Sequence, residues 1–418
     1  MRPHAPQTCT LTGLSYIPLQ FCGAKIVIFF GFPQIKFQKK MYLCLMNIMT
    51  KTLLYILTLC ACVGCVASSG VDNTAFSLES YFPKHASGFA VYADAEGNKL
   101  LRVTRPWQGE NVEEQTLAIF ATEESAEGYR GQYIVGCAER IVCMSTSHVA
   151  MLAELGMSSA VAGVSGKQYV MNEDVRANDK VFDVGYDNNL DFEAMLLNDV
   201  DLVVMYGIQS ENRAVVTKLR DMKIPYIYFG DYCEQSPLGK AEWLVAMAEV
   251  VGSRSKAESL FAGIEERYNA VRERVVHDAV RPKVMFNLPY QDVWYMPSNS
   301  SYMVRLVEDA GGDYIYDNES NSSVGISLEE AVELVSKTDI WLNPGQCTSL
   351  DELRATAPIF ATMGVVVRGD VYNNNRRRGE GGGSDFWESA IVRPDVVLSD
   401  LVEIMQRGDD MYYHQRLK

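Results

Sequence analysis

From residue 140 onward, short apolar runs alternate with segments whose apolar residues recur at helical spacing. The runs RIVCM, AVAGVS, KVFDVG, DLVVMYG and IPYIYFGD follow one another up to residue 231. Between them lie STSHVAMLAELG, FEAMLLND and ENRAVVTKLRDM, which have the pattern of amphipathic helices, and the serines of the first can cap its start. This alternation predicts an α/β lobe with a largely parallel sheet over residues 138–239.

A long helical pattern follows over residues 240–279, with one predicted break at Gly252. Its second half runs for about 25 residues, which corresponds to roughly 35 Å of helix and is long enough to cross between two lobes. The alternation then restarts with KVMFNL, VWYMP and DIWLNPG as strands and SYMVRLVEDAGG, SLEEAVELVSK and PDVVLSDLVEIM as helices. Residues 280–418 are therefore predicted to form a second α/β lobe.

The region before the first lobe has a different pattern. VASSGVDNTAFSLES has little apolar surface to bury and reads as a polar tether. Residues 88–107 alternate apolar and polar positions around the turn AEGN, which predicts a β-hairpin. Residues 65–137 are thus expected to comprise a tether and a hairpin region.

A processing signal precedes the tether. MNIMTKTLLYILTLCACVGC, residues 46–65, has a short Lys-bearing start, an apolar core and then small residues, as bacterial secretory signal peptides do. A cysteine directly after small residues resembles the lipobox of lipoproteins, which makes Cys65, or alternatively Cys62, the predicted lipidation site. The apolar core is nearer twelve residues than the twenty or so of a spanning helix. Residues 1–64 are expected to be an upstream extension plus this signal peptide.

Charge narrows the possible partners. Residues 1–64 contain six basic residues and no acid, so their removal takes the formal net charge from −15 to −21. Such an acidic body would repel a phosphate backbone, and nucleic-acid binding is therefore not expected.

Five segments taken in order resemble the substrate-binding proteins of ABC importers for iron-siderophore complexes, haem and cobalamin. They are RIVCMSTSHVAMLAELGMSSAVAGVS, NNLDFEAMLLNDVDLVVMYG, LVEDAGGDYIY, SLEEAVELVSKTDIWLN and VRPDVVLSDLVEIM, and they cover residues 140 to about 405. The resemblance implies an α/β fold of two lobes with central, largely parallel sheets joined by a single long helix, and a ligand cleft between the lobes. It also implies a periplasmic protein, anchored to a bacterial membrane as a lipoprotein, that delivers an iron chelate, haem or corrinoid to an importer permease and has no cofactor of its own.

The resemblance further implies that one glutamate on each lobe pairs with arginines of the permease. The matching positions are Glu193 in LDFEAML and Glu329 in ISLEEAV, with Glu330 as a neighbour that could be confused with Glu329. Two fixed carboxylates set the register on a basic partner better than a diffuse acidic surface does. Alternatively, each carboxylate only stabilises the start of its own helix.

Aromatic residues recur at the ends of predicted strands, where α/β folds bind ligands. Tyr169, Tyr206, Trp294 and Tyr295 are the candidates, and their rings could stack on a planar macrocycle or a catecholate unless they only pack in the core.

The segment VYNNNRRRGEGGGSDFWESA, residues 371–390, is the other candidate for ligand contact. Its Asn and Gly strings predict a flexible loop. Arg376, Arg377 and Arg378 could grip ligand carboxylates, and Phe386 and Trp387 could cover an apolar part of the ligand. The alternative is a solvated loop whose arginines pair with local acids.

Enzymatic readings find less support in the sequence. No GxSxG, HExxH or GxxxxGK[ST] motif is present, and no histidine-rich metal site is expected. Two alternatives to a transport protein stay open. One is an oxidoreductase with a metal cluster on a nitrogenase-like two-lobed fold, for which Cys143, Cys233 and Cys347 are the candidate ligands. The other is a ligand sensor that acts without a permease.

Overall fold

The computed structural model describes residues 73–109, 112–275, 280–291 and 293–418. All of them belong to one compact unit, Gly70–Lys418. The upstream extension and signal peptide predicted over residues 1–64 lie outside the described residues, as do the lipidation candidates Cys62 and Cys65.

A five-stranded sheet precedes the first lobe. Its strands, which lie side by side in chain order, are β1 (Leu78–Tyr81), β2 (Phe89–Ala93), β3 (Lys99–Val103), β4 (Gln115–Phe120) and β5 (Tyr133–Val135). Strands β2 and β3 form a hairpin around AEGN, and Asp94 accepts the N–H groups of Glu96 and Asn98 in its turn at 2.9 Å. The expectation of a tether and a hairpin is too simple, because β1, β4 and β5 extend the hairpin into a sheet.

The first lobe is built on a five-stranded parallel sheet. Its strands are β6 (Ile141–Cys143), β7 (Val161–Val164), β8 (Phe182–Asp183), β9 (Leu202–Met205) and β10 (Tyr226–Tyr228), in the spatial order β10-β9-β6-β7-β8. Its helices are α1 (Thr146–Glu154), α2 (Glu173–Arg176), α3 (Phe192–Leu197) and α4 (Arg213–Asp221). Every residue of β6, β7, β9 and β10 is buried, as expected of a parallel sheet that is covered on both faces.

Two consecutive helices follow the first lobe, and the second of them connects it to the second lobe. Helix α5 (Pro237–Val250) is buried along almost its whole length, and Gly252, with a φ of 67°, separates it from α6 (Arg254–Arg272). Helix α6 reaches from Lys256, whose ammonium donates to the Leu155 carbonyl of the first lobe at 2.7 Å, to Tyr268, whose hydroxyl donates to Asp309 of the second lobe at 2.6 Å. Its 19 residues span roughly 28 Å, somewhat less than the sequence predicts.

The second lobe repeats the α/β plan with an added hairpin. Its main sheet runs β13 (Asp313–Tyr314), β11 (Lys283–Phe286), β15 (Ile340–Leu342), β16 (Val371–Asn373) and β17 (Gln415–Arg416), and it is parallel except for β17. The hairpin pairs β12 (Val293–Met296) with β14 (Val324–Ser327). The helices are α7 (Tyr302–Asp309), α8 (Leu328–Ser336), α9 (Leu350–Thr356), α10 (Gly364–Arg368), α11 (Asp385–Glu388) and α12 (Pro394–Met405). The predicted architecture of two α/β lobes joined by one long helix is confirmed.

Candidate ligand-binding cleft

Two adjoining cavities lie where the carboxyl ends of the parallel strands of both lobes meet. Their volumes are about 440 and 410 Å³, and Thr146 and Trp387 line both of them. Each volume falls within the usual range for small-molecule sites, roughly 300–1,000 Å³. Together the two cavities form a cleft with two compartments, one polar and one aromatic.

The polar compartment is lined by side-chain amides that follow strands of the second lobe. Asn287 follows β11, Asn343 follows β15 and Asn374 follows β16. The Oδ1 atom of Asn343 is buried and has no hydrogen-bond partner among the described residues. Arg378 supplies a cation to the same compartment. This half of the cleft can therefore both donate hydrogen bonds to a ligand and accept them.

The aromatic compartment is lined by Tyr206, Tyr232, Tyr302 and Phe386, with aliphatic side chains of the second lobe beside them. Gln108, in the loop after β3, donates its backbone N–H to the Tyr232 hydroxyl at 3.2 Å. The Tyr232 hydroxyl in turn donates to the Ile208 carbonyl at 2.9 Å. The N-terminal sheet thus helps to fix one wall of the cleft.

An ion pair between the half-buried Lys240 and the buried Asp231 lines the same compartment. The Lys240 ammonium is 3.5 Å from an Asp231 carboxylate oxygen and 4.8 Å from the centroid of the Tyr302 ring. Burial is the largest single influence on Lys240 and disfavours its charge, but the Asp231 carboxylate, Tyr302 and Cys233 together outweigh it and raise the lysine pKa above its ordinary value. Neither residue was among the predicted site residues, although Asp231 lies three residues after β10, at the end of the sheet where a cleft residue is expected.

Five of the nine predicted ligand-binding residues line the cleft. They are Tyr169, Tyr206, Arg378, Phe386 and Trp387. Trp387 is 60% exposed and is shared by both compartments, whereas Phe386 is only 5% exposed and presents little of its ring. Phe386 contacts Trp387 edge to face, with 5.0 Å between the ring centroids, and so supports it from behind.

The structure corrects the assignment of Trp294 and Tyr295. Trp294 is fully buried, packs against Trp341 and Phe360, and donates its indole N–H to the Phe286 carbonyl at 2.8 Å. Tyr295 lies on the outer face of β12, is 52% exposed and lines neither compartment. Strand β12 alternates sides, so its inward residues build the core of the lobe and its outward residues face away from the cleft.

Arg376 and Arg377 also lie outside the cleft lining. Arg376 donates to the Met411 carbonyl. Arg377 donates to Asp385 at 2.5 Å and sits over the Tyr412 ring, 4.3 Å from its centroid. The pairing with local acids that the sequence offered as an alternative therefore holds for Arg377, and only Arg378 of the three arginines reaches the cleft.

The glycine-rich segment 379–383 is docked on the first lobe, contrary to the flexible loop that the sequence predicts. A Cβ atom on Gly381 would lie 2.1 Å from the Gln168 carbonyl oxygen, and one on Gly383 would lie 2.1 Å from the Tyr169 carbonyl oxygen. Only glycine permits such a close approach of two backbones. We call residues 379–383 the glycine strap.

Glu388, which follows the glycine strap, bridges the two lobes. Its carboxylate accepts the backbone N–H of Met171 at 2.7 Å and that of Asn172 at 2.6 Å. Burial raises the pKa of Glu388 to about 7, although the two N–H donors act in the opposite direction. No local sequence pattern marks Glu388, because its partners lie more than 200 residues earlier in the chain.

The predicted docking glutamates lie on different lobes, and both are exposed. Glu193 is in the first turn of α3, which Asp191 caps by accepting the Ala194 N–H at 2.8 Å. Glu329 is in the first turn of α8, beside the equally exposed Glu330. These positions are compatible both with permease docking and with stabilisation of the helix starts.

The cysteines proposed as cluster ligands do not meet in the cleft. Cys143 and Cys347 are buried, Cys233 is half-buried, and none of the three lines either compartment. Within the described ranges, no group of three or more His, Cys, Asp or Glu side chains is arranged to hold a metal ion. In that same part of the chain, no helix has both the length and the apolar character required to cross a bilayer.

The sequence matches the family described as periplasmic binding protein over residues 141–375, more than half of the chain. The chain therefore belongs to this family of binding proteins, and the resemblance drawn from its motifs is confirmed. The match begins at β6 and leaves out the N-terminal sheet.

Individual relatives are distant. An uncharacterized lipoprotein of Methanocaldococcus jannaschii is 23% identical over 331 residues, which cover 76% of this chain and 74% of the relative. A cobalamin-binding protein of Halobacterium salinarum is 26% identical over 231 residues, 55% of this chain and 59% of the relative. The crystal structure of a periplasmic heme binding protein from Pseudomonas aeruginosa superposes with a TM-score of 0.51 at 14% identity, covering 67% of this chain and 98% of that one. This structural likeness shows a shared fold.

Proposed function

We propose that the protein captures an iron chelate, a haem or a corrinoid in the cleft between its lobes and delivers it to an ABC importer. The observation that carries this proposal is the cleft itself, in which an aromatic compartment adjoins a compartment of amides and Arg378. A ligand with a planar apolar body and a polar periphery fits both halves at once. Membership of the periplasmic binding protein family and a relative named as cobalamin-binding support the same class of ligand.

Intrinsic fluorescence gives a direct test of ligand capture. Of the five tryptophans, Trp107, Trp243, Trp294 and Trp341 are at most 4% exposed, and only Trp387 faces the cleft with an exposed surface. Haem, cobalamin or a ferric siderophore bound beside Trp387 should quench its emission saturably at one ligand per protein. A Trp387→Phe variant should bind the same ligand with a smaller loss of emission, because the remaining quenching comes from energy transfer by the four buried tryptophans. Binding of none of the three ligand classes would contradict the proposal.

Delivery would require the protein to stay beside a membrane and to dock on a permease. Lipidation at Cys65 or Cys62 would provide the anchor, which the lipoprotein name of a relative supports, and would place the protein on the periplasmic side of the membrane. Glu193 and Glu329 would provide the two docking points, since each is an exposed carboxylate on a different lobe. A basic permease surface could pair with both carboxylates at once.

A double charge reversal tests docking separately from binding. Glu193→Arg with Glu329→Arg should abolish ligand uptake by cells and leave ligand binding by the purified protein unchanged. The matched control reverses Glu139 and Glu319, which are also exposed and also lie one on each lobe. Uptake that is unaltered by the Glu193 and Glu329 changes would refute the docking assignment and favour a sensor that acts without a permease.

A further inference from the structure

Besides its packing on α1, the second lobe contacts the first lobe along the short segment of residues 168–172. The glycine strap lies against the carbonyls of Gln168 and Tyr169, and Glu388 binds the next two free N–H groups along the segment, those of Met171 and Asn172. Between these contacts lies Tyr169, whose ring lines the polar compartment of the cleft. The segment that carries a cleft-lining tyrosine is therefore held on both sides by the opposite lobe.

We propose that Glu388 is a positioning residue that latches the two lobes together on this side of the cleft, fixes Tyr169, and must release Met171 and Asn172 before the ligand can exchange. The inference rests on the proposed capture of a ligand in the cleft. Glu388 lines a separate cavity of about 280 Å³ that also includes Met171 and Asn172, so its carboxylate acts through the first-lobe backbone rather than by contact with a ligand. Asn172 also caps α2 by accepting the Val175 N–H at 3.1 Å, so the latch extends to that helix.

The chemistry of a carboxylate suits a latch that can open. Glu388 is 2% exposed, and its two acceptor contacts use both oxygen atoms, one for each N–H. Hydrogen bonds to a charged acceptor are stronger than neutral ones, but the burial of the charge more than offsets this gain, so the closed form favours the protonated carboxyl. The charged residues that act on Glu388 or share its cavity are Asp385, Arg176, Glu154, Arg377 and Arg393. No lysine or arginine forms a direct ion pair with Glu388 among the described residues.

The latch should respond to pH in a defined direction. Burial holds the pKa of Glu388 at about 7 in the closed form, whereas an exposed carboxyl keeps its ordinary value of 4.5. The closed form therefore binds a proton that the open form releases between these two values. Protonation of Glu388 therefore stabilises the closed form fully below pH 4.5, and this stabilisation is lost as the pH rises through 7. The opening equilibrium should increase by up to about tenfold for each pH unit within this window.

Amide hydrogen exchange in the ligand-free protein tests the latch directly. Glu388→Gln keeps the size of the side chain but replaces one acceptor oxygen by a donor that faces a backbone N–H. The variant should therefore exchange the Met171 and Asn172 amides at least about threefold faster than wild type at pH 6, after correction for intrinsic rates. Glu380→Gln, the same change at an exposed position within the glycine strap, should exchange them as wild type does. Unchanged exchange in Glu388→Gln would overturn the latch.

The pH dependence of the ligand dissociation rate is the second measurement. A residue with only a structural role would not change this pH dependence. Wild type and Glu380→Gln should release bound ligand about tenfold faster at pH 8 than at pH 6, and Glu388→Gln should lose most of that dependence. A wild-type pH profile in Glu388→Gln would overturn the positioning role.

If Glu388→Gln does not fold, Gly381→Ala opens the same contact from the other side and should speed exchange at Met171 and Asn172 with the pH profile retained. Because the exchange test needs no ligand, a failure of the latch is distinguishable from a failure of the proposed function.

Discussion

Glu388 and Met171 lie on opposite lobes, and the carboxylate of the first accepts the backbone N–H of the second at 2.7 Å. The contact joins α11, a short helix of the second lobe, to the first-lobe segment that carries Tyr169. Beside this contact, the glycine strap lies against the Gln168 and Tyr169 carbonyls, and Gly382 and Gly383 of the strap line the polar compartment. The latch that we propose therefore acts on a segment that contributes Tyr169 to the cleft lining.

Gly381→Ala should destabilise the protein by about 1–3 kcal/mol, because a Cβ atom at this position would lie 2.1 Å from the Gln168 carbonyl oxygen. The φ of Gly381 is not in the left-handed region, so the cost arises from the interlobe approach rather than from backbone strain. Gly263→Ala is the control. Gly263 lies within α6, where alanine is favoured by roughly 0.5–1 kcal/mol. Urea denaturation measures the free energy of unfolding of both variants. Equal stabilities of wild type and Gly381→Ala would contradict the docking of the glycine strap on the first lobe.

Substitution of Trp294 should affect mainly protein stability, whereas substitution of Trp387 should affect mainly ligand binding. Trp294→Ala removes a fully buried ring and should lower the free energy of unfolding by about 3–5 kcal/mol. Trp387→Ala should change that free energy by less than about 0.5 kcal/mol, because its ring is 60% exposed, yet should weaken ligand binding roughly threefold to tenfold. Chemical denaturation and ligand titration separate the two effects. A large loss of stability in Trp387→Ala would mean that this ring belongs to the core.

Lys240→Met should destabilise the protein by about 1–3 kcal/mol, because it leaves the buried Asp231 carboxylate without its ammonium partner. The loss should be smaller than for a fully buried pair, because the Lys240 side chain is 19% exposed and its charge is partly screened by solvent. Adding Asp231→Asn to Lys240→Met should restore much of the loss. A double-mutant cycle followed by urea denaturation measures the coupling, and simple additivity of the two changes would show that the pair does not interact.

His148 should make the protein sensitive to acid. Burial lowers the pKa of His148 to about 4, against the opposing effect of Asp231, so the folded state resists a proton that the unfolded state accepts below pH 6.5. The neutral, buried His148 therefore has its full effect on stability above pH 6.5. As the pH falls from 6.5 toward 4, the free energy of unfolding decreases by up to about 1.4 kcal/mol per pH unit. Between pH 7 and 5, wild type should therefore lose about 1–2 kcal/mol more stability than His148→Leu. Parallel pH profiles in urea denaturation would contradict this role.

Local sequence patterns were sufficient for the parallel sheets and the interlobe helix. Buried parallel strands appear as continuous apolar runs such as DLVVMYG, and Gly252 marks the end of α5 because its φ of 67° suits glycine. Tyr206 was found among the cleft residues because it follows a strand, and ligands bind at the carboxyl ends of parallel strands in α/β folds. Arg378 was found because it belongs to an arginine triplet in an acidic chain.

Tertiary contacts decide the residues that the sequence patterns missed. The alternation in β12 indicates that Trp294 and Tyr295 point to opposite sides but does not say which side is the core. The glycine strap reads as flexible in isolation, and its rigid role depends on the carbonyls of Gln168 and Tyr169. Asp231 acquires its importance only when the fold brings Lys240 beside it.

Equilibrium dialysis tests most directly whether the cleft captures a ligand. The full chain is dialysed against haem, cobalamin and a ferric siderophore, and wild type is compared with the Tyr206→Ala/Trp387→Ala double variant. Wild type should bind one equivalent of at least one of these ligands saturably. The double variant, which loses one exposed ring from the aromatic compartment and the ring shared by both compartments, should bind that ligand at least about tenfold more weakly. Equal binding by the two proteins, or no saturable binding of any of the three ligands by wild type, would contradict ligand capture in the cleft.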